Sequence, residues 1–258
     1  FVYITLAVAF AYGVTGFLDD SIKIRYKRNL GLRPYQKIIL QLSIALIVAF
    51  VVYKNELIRG DVYIPFTKNT VSLGWGVIPL VVFIFIATTN SVNLTDGLDG
   101  LAASTTLVYM AGIAAIIAIV AADADKNGLS LYVKEYQGLL TVCFATVGSL
   151  AGFLLFNCFP AKIFMGDVGS LALGGVVACV SILGRLSLYI PILGVMFATS
   201  AVSDIIQVVH YKRTKRRVFL MAPFHHHLQK KGLSETRIGF LYSTITGIVA
   251  LICVLTLI

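Results

Sequence analysis

Two carboxylates three residues apart, each followed by glycine, close an apolar run: NSVNLTDGLDG (90–100) follows GVIPLVVFIFIATT. Asn93, Asp96 and Asp99 recur every three residues, a spacing that puts them on one face of a helical turn. Gly97 and Gly100 remove a side chain beside each acid, so backbone can come close to a phosphate. A single Asp-Gly reads more simply as a capped helix end or a turn. Two in register, beside Asn90 and Asn93, point to a polar wall for a ligand.

Three more clusters carry the same kind of chemistry. In FLDDSIK, Asp19 and Asp20 are adjacent and Lys23 lies one turn on. Adjacent carboxylates at a low-dielectric boundary repel unless a cation or proton holds them. Mg²⁺ suits such a pair, because it binds through one or two carboxylates and completes its shell with water and phosphate oxygens. A topological stop with a local Asp–Lys pair is the other reading. In FNCFPAKIFMGDVGS, Asn157 ends a span, Pro160 breaks it, and Asp167 precedes a helix expected to start at Gly169 or Ser170. That N-terminus suits an anion; equally, Asp167 is its N-cap. In APFHHHLQKKG, consecutive His225, His226 and His227 point in different directions and do not converge easily on one metal. Amid Lys and Arg they suit a phosphate or a sugar. Carboxylates for a metal, cations for phosphate oxygens and a base near a nucleophile are the set that phosphoryl transfer uses.

These residues need elements to carry them, and composition says which. The 258 residues are 58% hydrophobic and 13% charged, with a mean hydropathy of +0.90. Soluble domains are nearer a quarter charged. A spanning helix needs about 20 mostly apolar residues, and eight stretches qualify: 1–18, 38–53, 73–89, 101–122, 137–157, 168–184, 187–209 and 237–258. The expectation is one all-α, polytopic transmembrane catalytic domain over 1–258. Loop 54–72 reads as a small hairpin near 57–72, and DADKNGLSLYVKEY (123–136) as a polar loop. Net charge is +9. If the spans alternate, loops 19–37 and 210–237 with Lys162 put fifteen of the 21 basic residues on one side, Arg28 among them. Lys68 is one of the six opposite. The positive-inside rule makes the richer side cytoplasmic, and it holds all four motifs. Cys143, Cys158, Cys179 and Cys253 form no C-x-x-C pair and read as small packing residues. Phe1 opens directly on a span with no basic region or cleavage site before it, which reads as a chain lacking upstream residues.

Taken in order, DDSIK, NSVNLTDGLDG, FMGDVGS and APFHHHLQKKG resemble the motifs of polyprenyl-phosphate sugar-1-phosphate transferases across essentially the whole chain. PFHHHL resembles the phospho-N-acetylmuramoyl-pentapeptide transferase branch. The resemblance implies ten transmembrane helices with both ends outside, so the first two would be absent here. It implies a bacterial cytoplasmic-membrane enzyme that joins UDP-N-acetylmuramoyl-pentapeptide to undecaprenyl phosphate with Mg²⁺, giving lipid I and UMP. Asp19 would be the base that deprotonates the lipid phosphate, with Asp20 beside it, Asp167 the Mg²⁺ ligand and His226 a further catalytic group. Lys23 and Lys37 would meet phosphate oxygens; Asn90, Asn93, Asp96 and Asp99 would wall the nucleotide and diphosphate. Asn157, Phe164 and Gly166 would line the uridine pocket, Phe164 stacking on the base. His225 and His227 would face the sugar-phosphate, and Gln207 also matches a family position. The partners implied are the two substrates, bilayer lipid, a second copy in a homodimer, and nucleoside inhibitors of the tunicamycin and muraymycin type, with no nucleic acid. Gln229 departs from the Glu of many relatives and is assigned no catalytic role; Asp204 lies where the family has apolar residues, and of a functional and a hydrogen-bonded structural acid the structural reading is preferred. A sibling UDP-N-acetylhexosamine transferase is the nearest alternative. An ion-coupled transporter or flippase would instead place its carboxylates at the bilayer midplane.

Overall fold

The computed structural model describes residues 1–27, 31–67 and 69–258; Arg28 and Lys68 lie outside the described residues. Among the described residues, seven helices are long and apolar enough to cross a membrane, and a bent pair makes eight if it is counted as one span. In chain order the first three are α1 (Val2–Arg25), α2 (Pro34–Lys54) and α3 (Val77–Thr95). Then come α4 (Leu101–Lys126), α5 (Ser130–Asn157) and α6 (Gly166–Leu183). The short α7 (Ile190–Leu193) leads into α8 (Val195–Thr214), α9 (Phe224–Lys230) and α10 (Glu235–Leu255). The protein is therefore an all-α, polytopic membrane protein. The hairpin is present as β1 (Asp61–Tyr63) against β2 (Thr70–Ser72), antiparallel, with Val62 opposite Val71.

The helices outrun the apolar stretches that reveal them. Helix α1 continues seven residues past 18, so Asp19, Asp20 and Lys23 sit within a helix rather than in a loop. The 123–136 segment, expected as a polar loop, is a correction. Helix α4 runs to Lys126 and α5 starts at Ser130, leaving a three-residue turn. Hydropathy reports the bilayer core, whereas hydrogen bonding carries a helix of Ala, Lys and Glu beyond it. The 187–209 span is broken: Ser187–Leu193 and Val195–Thr214 meet at 76°. Pro191, which has no N–H, and Gly194, which separates the two pieces, lie at the break. Such residues are where helices bend.

Helix α6 is the most buried of the spans and packs chiefly on α1 and α3. With no water to drive association inside a bilayer, close packing at small residues does the work. A Cβ on Gly174 would lie 2.6 Å from the Thr89 backbone, and one on Gly16 would collide with the Asp167 carbonyl. Any larger residue at either position pushes α6 away from α3 or α1. The Tyr12 and Phe85 rings stack at 5.8 Å between α1 and α3. Cys143, Cys179 and Cys253 are buried, on α5, α6 and α10, Cys158 is exposed, and all four are free.

Candidate active site

The alternation of helices brings the C-terminal ends of α1, α3 and α5 together with the N-terminal ends of α2, α4, α6 and α10. There Asp19, Asp20 and Asp167 converge, each offering a carboxylate oxygen within 4.8 Å of the others. Asp19 is 4% exposed and accepts a hydrogen bond from the Leu32 amide at 2.8 Å. Asp20 accepts from the Val168 amide at 3.3 Å. Asp167 is not the N-cap that one reading expects. Its helix starts at Gly166, so it lies inside the first turn, with its carboxylate turned to α1 and α3 instead of to its own amides. Gly166 has φ +64°, and a side chain there would come within 2.8 Å of Asp20 Oδ2. This left-handed turn needs glycine for both reasons.

Two lysines balance the three acids. Lys23 Nζ lies 2.6 Å from Asp19, 3.2 Å from Asp20 and 3.0 Å from Asp167; Lys37 Nζ lies 3.0 Å from Asp167. The Lys23 ammonium bridges all three carboxylates, the position in which oxygen donors of this kind call for a cation. Asn93 closes the wall, donating to Asp167 Oδ1 and to Ser170 Oγ, both at 2.8 Å. An apolar groove of about 670 Å³ between α1, α5 and α6 runs up to Phe164 and Val168 beside the cluster.

The NLTDGLDG residues part company. Helix α3 ends at Thr95, so the three-residue period does not continue on one face. Asp96 stays within electrostatic reach of Asp167 and Asp20; burial first, then these two charges, raise its pKa to about 7. Asp99 turns away, accepting from the Ala161 amide at 2.9 Å and so pinning the loop after α5. Asn90 also faces elsewhere, donating to Gln41 on α2 at 2.7 Å. Asn157 is buried and donates to the Ile163 carbonyl at 2.8 Å, holding the loop whose next residue, Phe164, is 73% exposed.

The three histidines ride on α9, about 100° apart as helix geometry demands. His225 is fully buried, with no hydrogen-bond partner on either ring nitrogen among the described residues. Burial, then His226, pushes its pKa down to about 3, so it is neutral. Its ring fills the space beside Gly97, where a Cβ would collide with Nε2. His226 is more open, and its Nε2 lies 3.1 Å from that same Cβ position. His227 accepts from the Leu220 amide at 3.1 Å and packs against Phe219 and Phe224. Gln207 holds the same loop, accepting from the Val218 and Phe219 amides at 3.0 Å.

Gln229, Glu235, Gln41 and the backbone at Gly31–Leu32 contribute although none is read as a site residue from the motifs. Gln229 meets His226 Nδ1 at 3.2 Å and donates to Glu235 at 3.2 Å; Glu235 in turn accepts from the Asp99 amide at 3.3 Å. The His226-to-Gln229 spacing of three on one helix was the available signal. Gln41, fully buried and polar within an apolar run, was another. The backbone at Gly31–Leu32 gave no signal, since nothing local ties it to Asp19.

The pattern described as glycosyl transferase family 4 matches residues 2–185. Among similar curated proteins, the phospho-N-acetylmuramoyl-pentapeptide-transferase of Clostridium novyi (strain NT) is 43% identical over 248 residues, covering 96% of this chain and 72% of the relative. That of Clostridioides difficile (strain 630) is 43% identical over 95% of this chain and 72% of its own length. That of Bacillus mycoides (strain KBAB4) is 45% identical, over 92% and 68%. Matched over nearly all its length, with both lysines and all three acids drawn together at one end of the bundle, the chain belongs to glycosyl transferase family 4 and, within it, to the phospho-N-acetylmuramoyl-pentapeptide-transferases.

Proposed function

We propose that this protein transfers phospho-N-acetylmuramoyl-pentapeptide from its UDP donor to undecaprenyl phosphate. The products are lipid I and UMP, and the step is the first at the membrane in peptidoglycan synthesis. The observation that carries the reading is the trio Asp19, Asp20 and Asp167 with Lys23 and Lys37, gathered where helix ends meet. A water-soluble nucleotide meets a lipid phosphate at such a boundary, on the cytoplasmic face of the bacterial membrane. The basic loops support that face.

The cluster fits Mg²⁺. Its donors are hard carboxylate oxygens, mutually within 4.8 Å, and an ammonium already bridges them. Asp167 would hold the ion together with Asp20. When bound, Mg²⁺ neutralises and polarises phosphate oxygens. Asp19, buried and fixed by the Leu32 amide, takes the proton from the lipid phosphate. The freed oxygen attacks the donor's β-phosphorus; the bond from that phosphorus to the bridging oxygen breaks, and UMP leaves. Lys37 and Lys23 offset the charge on the phosphate oxygens. Asn93 orients Asp167, and the exposed Phe164 ring stacks on uracil. His226, steered by Gln229, serves the sugar-phosphate side. Asp99, Asn157, Gln207 and His227 hold the loops that complete the pocket, and buried His225 supports the backbone at Gly97.

Two upstream helices, a homodimer, and competition by nucleoside inhibitors of the tunicamycin and muraymycin type complete the proposal. The test is UMP release in detergent with both substrates, with and without Mg²⁺. Release that needs all three is expected. Release with UDP-N-acetylglucosamine instead assigns the sibling reaction. A sugar-phosphate-labelled enzyme trapped without acceptor overturns direct attack in favour of a covalent relay.

A further inference from the structure

Helix α2 packs chiefly on α3, and its buried face is narrow: Gln41, Ala45, Val48, Ala49 and Val52. All but the first are small or β-branched apolar residues. Between two apolar helices in a bilayer no hydrophobic gain favours one register over another, so such a face can settle in more than one. Gln41 is the exception. It is fully buried, lies one helical turn after Lys37, and belongs to none of the four motifs.

Its partner is Asn90 on α3, about one turn before Asn93. Asn90 Nδ2 donates to Gln41 Oε1 at 2.7 Å and to the Ile86 carbonyl at 2.8 Å; Gln41 Nε2 reaches back to Asn90 Oδ1 at 3.5 Å. From α1, the Tyr12 hydroxyl donates to the Gln41 carbonyl at 3.2 Å. At a helical rise of about 1.5 Å per residue, the pair lies about 6 Å deeper in the span than Lys37 and about 5 Å deeper than Asn93. Those two residues hold the two oxygens of one carboxylate. Lys37 Nζ donates to Asp167 Oδ2 at 3.0 Å, and Asn93 Nδ2 donates to Oδ1 at 2.8 Å. Both bonds form together only in one register of α2 on α3. A slip of one turn, about 5.4 Å, carries the Lys37 ammonium out of ion-pair reach.

We infer that Gln41 is a positioning residue for the reaction at the carboxylates: paired with Asn90, it fixes the register of α2 on α3 and so presents the Lys37 ammonium to Asp167. A buried amide pair suits this role because its hydrogen bonds are directional, and a slip leaves both amides without partners in the span. One polar contact in an apolar seam is how packed helices specify register. Asn90 thus acts through α2, and not on the nucleotide as its place in NSVNLTDGLDG implies. The inference rests on the transferase reading for what Lys37 does, and on the packing alone for where Lys37 is held.

The test compares the parent in detergent with two double variants: Gln41→Leu/Asn90→Leu, which removes the pair, and Gln41→Asn/Asn90→Gln, which exchanges it. Two quantities are read besides Tm. One is the kinetics of UMP release. The other is the rate at which acetic anhydride acetylates Lys37 and Lys23 in EDTA, followed by mass spectrometry. In the leucine variant Tm should hold, because apolar side chains replace both amides. Its kcat should fall by about ten- to a hundredfold, with KM for the UDP donor within about threefold of the parent. Lys37 should be acetylated about fivefold faster, as for loss of one ion pair, while Lys23 on α1 is unchanged. The exchanged pair should recover most of both effects. Parent-like kcat and Lys37 acetylation in the leucine variant, or an exchange that recovers neither, would overturn the proposal. Faster acetylation of Lys23 in step with Lys37, with a lower Tm, would leave the pair a structural role only. A raised donor KM with unchanged kcat would instead place Asn90 on the donor. A parent that releases no UMP with either UDP donor would count against the transferase reading alone, and Lys37 acetylation would still decide the register.

Discussion

Asp96 keeps its proton far above the ordinary carboxylate range, and replacing it with asparagine should make the protein less sensitive to pH rather than less stable. Its pKa rises from 3.8 to about 7, because burial disfavours the charged form and the Asp167 and Asp20 carboxylates add repulsion. In the unfolded chain the group titrates near 3.8. Between pH 4 and 7 the native state therefore binds more proton than the unfolded state, and stability falls as pH rises. The contribution is fully present below pH 4 and lost above pH 7. At about 1.4 kcal/mol per pH unit, the gap amounts to at most about 4 kcal/mol from this one residue. In Asp96→Asn that slope disappears, and the variant gains on the parent from pH 4 upward, levelling off above pH 7. Thermal unfolding in detergent across pH 4.5–8.5, in EDTA and then with excess Mg²⁺, reads this directly. A divalent ion held by Asp20 and Asp167 removes the repulsion and leaves only burial, so Mg²⁺ should shrink the gap between parent and variant. Parallel curves for the two proteins in EDTA would refute the protonation of Asp96. A gap that Mg²⁺ leaves unaltered would refute the electrostatic link between Asp96 and the cluster.

Asp167→Asn keeps the shape that Asn93 recognises but removes a charge facing two ammoniums. Mg²⁺-dependent UMP release should fall by about a thousandfold or more, while circular dichroism and gel-filtration behaviour stay unchanged. Phe164→Ala should raise KM for the UDP donor by about two- to tenfold with little change in kcat, as expected for loss of one stacking ring; steady-state kinetics decides. Gly97→Ala drives a methyl into the His225 ring and should destabilise by about 1–3 kcal/mol. The double variant Gly97→Ala/His225→Ala should recover part of that loss in thermal melts. Gln229→Ala frees His226 from its hydrogen bond and should lower kcat by about fivefold. Gln229→Glu, which still offers an acceptor to Nδ1, should restore it.

Membrane class and most of the spans were legible in the sequence because hydropathy is a property of each segment taken alone. The four motifs, their order and the family likeness they carry were legible for a similar reason: each is local, and alternation of spans puts them at one end. That same logic foresaw the hairpin between two spans. Where helices end was not legible. Backbone hydrogen bonding carries α1 past Asp19 and Asp20 and joins α4 to α5 by a short turn, beyond where apolar content stops. Nor does periodicity tell which polar residues meet. Asn93 reaches Asp167 while Asp99, six residues on, turns to Ala161, because α3 ends between them. That Lys23 bridges three acids depends on how closely α6 approaches α1, which Gly16 permits. The burial of the first of three consecutive histidines depends on Gly97, 128 residues away in the chain. The sequence alone determined the membrane class, the chemistry and the end of the bundle at which it gathers. Only tertiary packing decided which atoms touch, since contact distances of about 3 Å are set by helix approach at small residues that no single segment encodes.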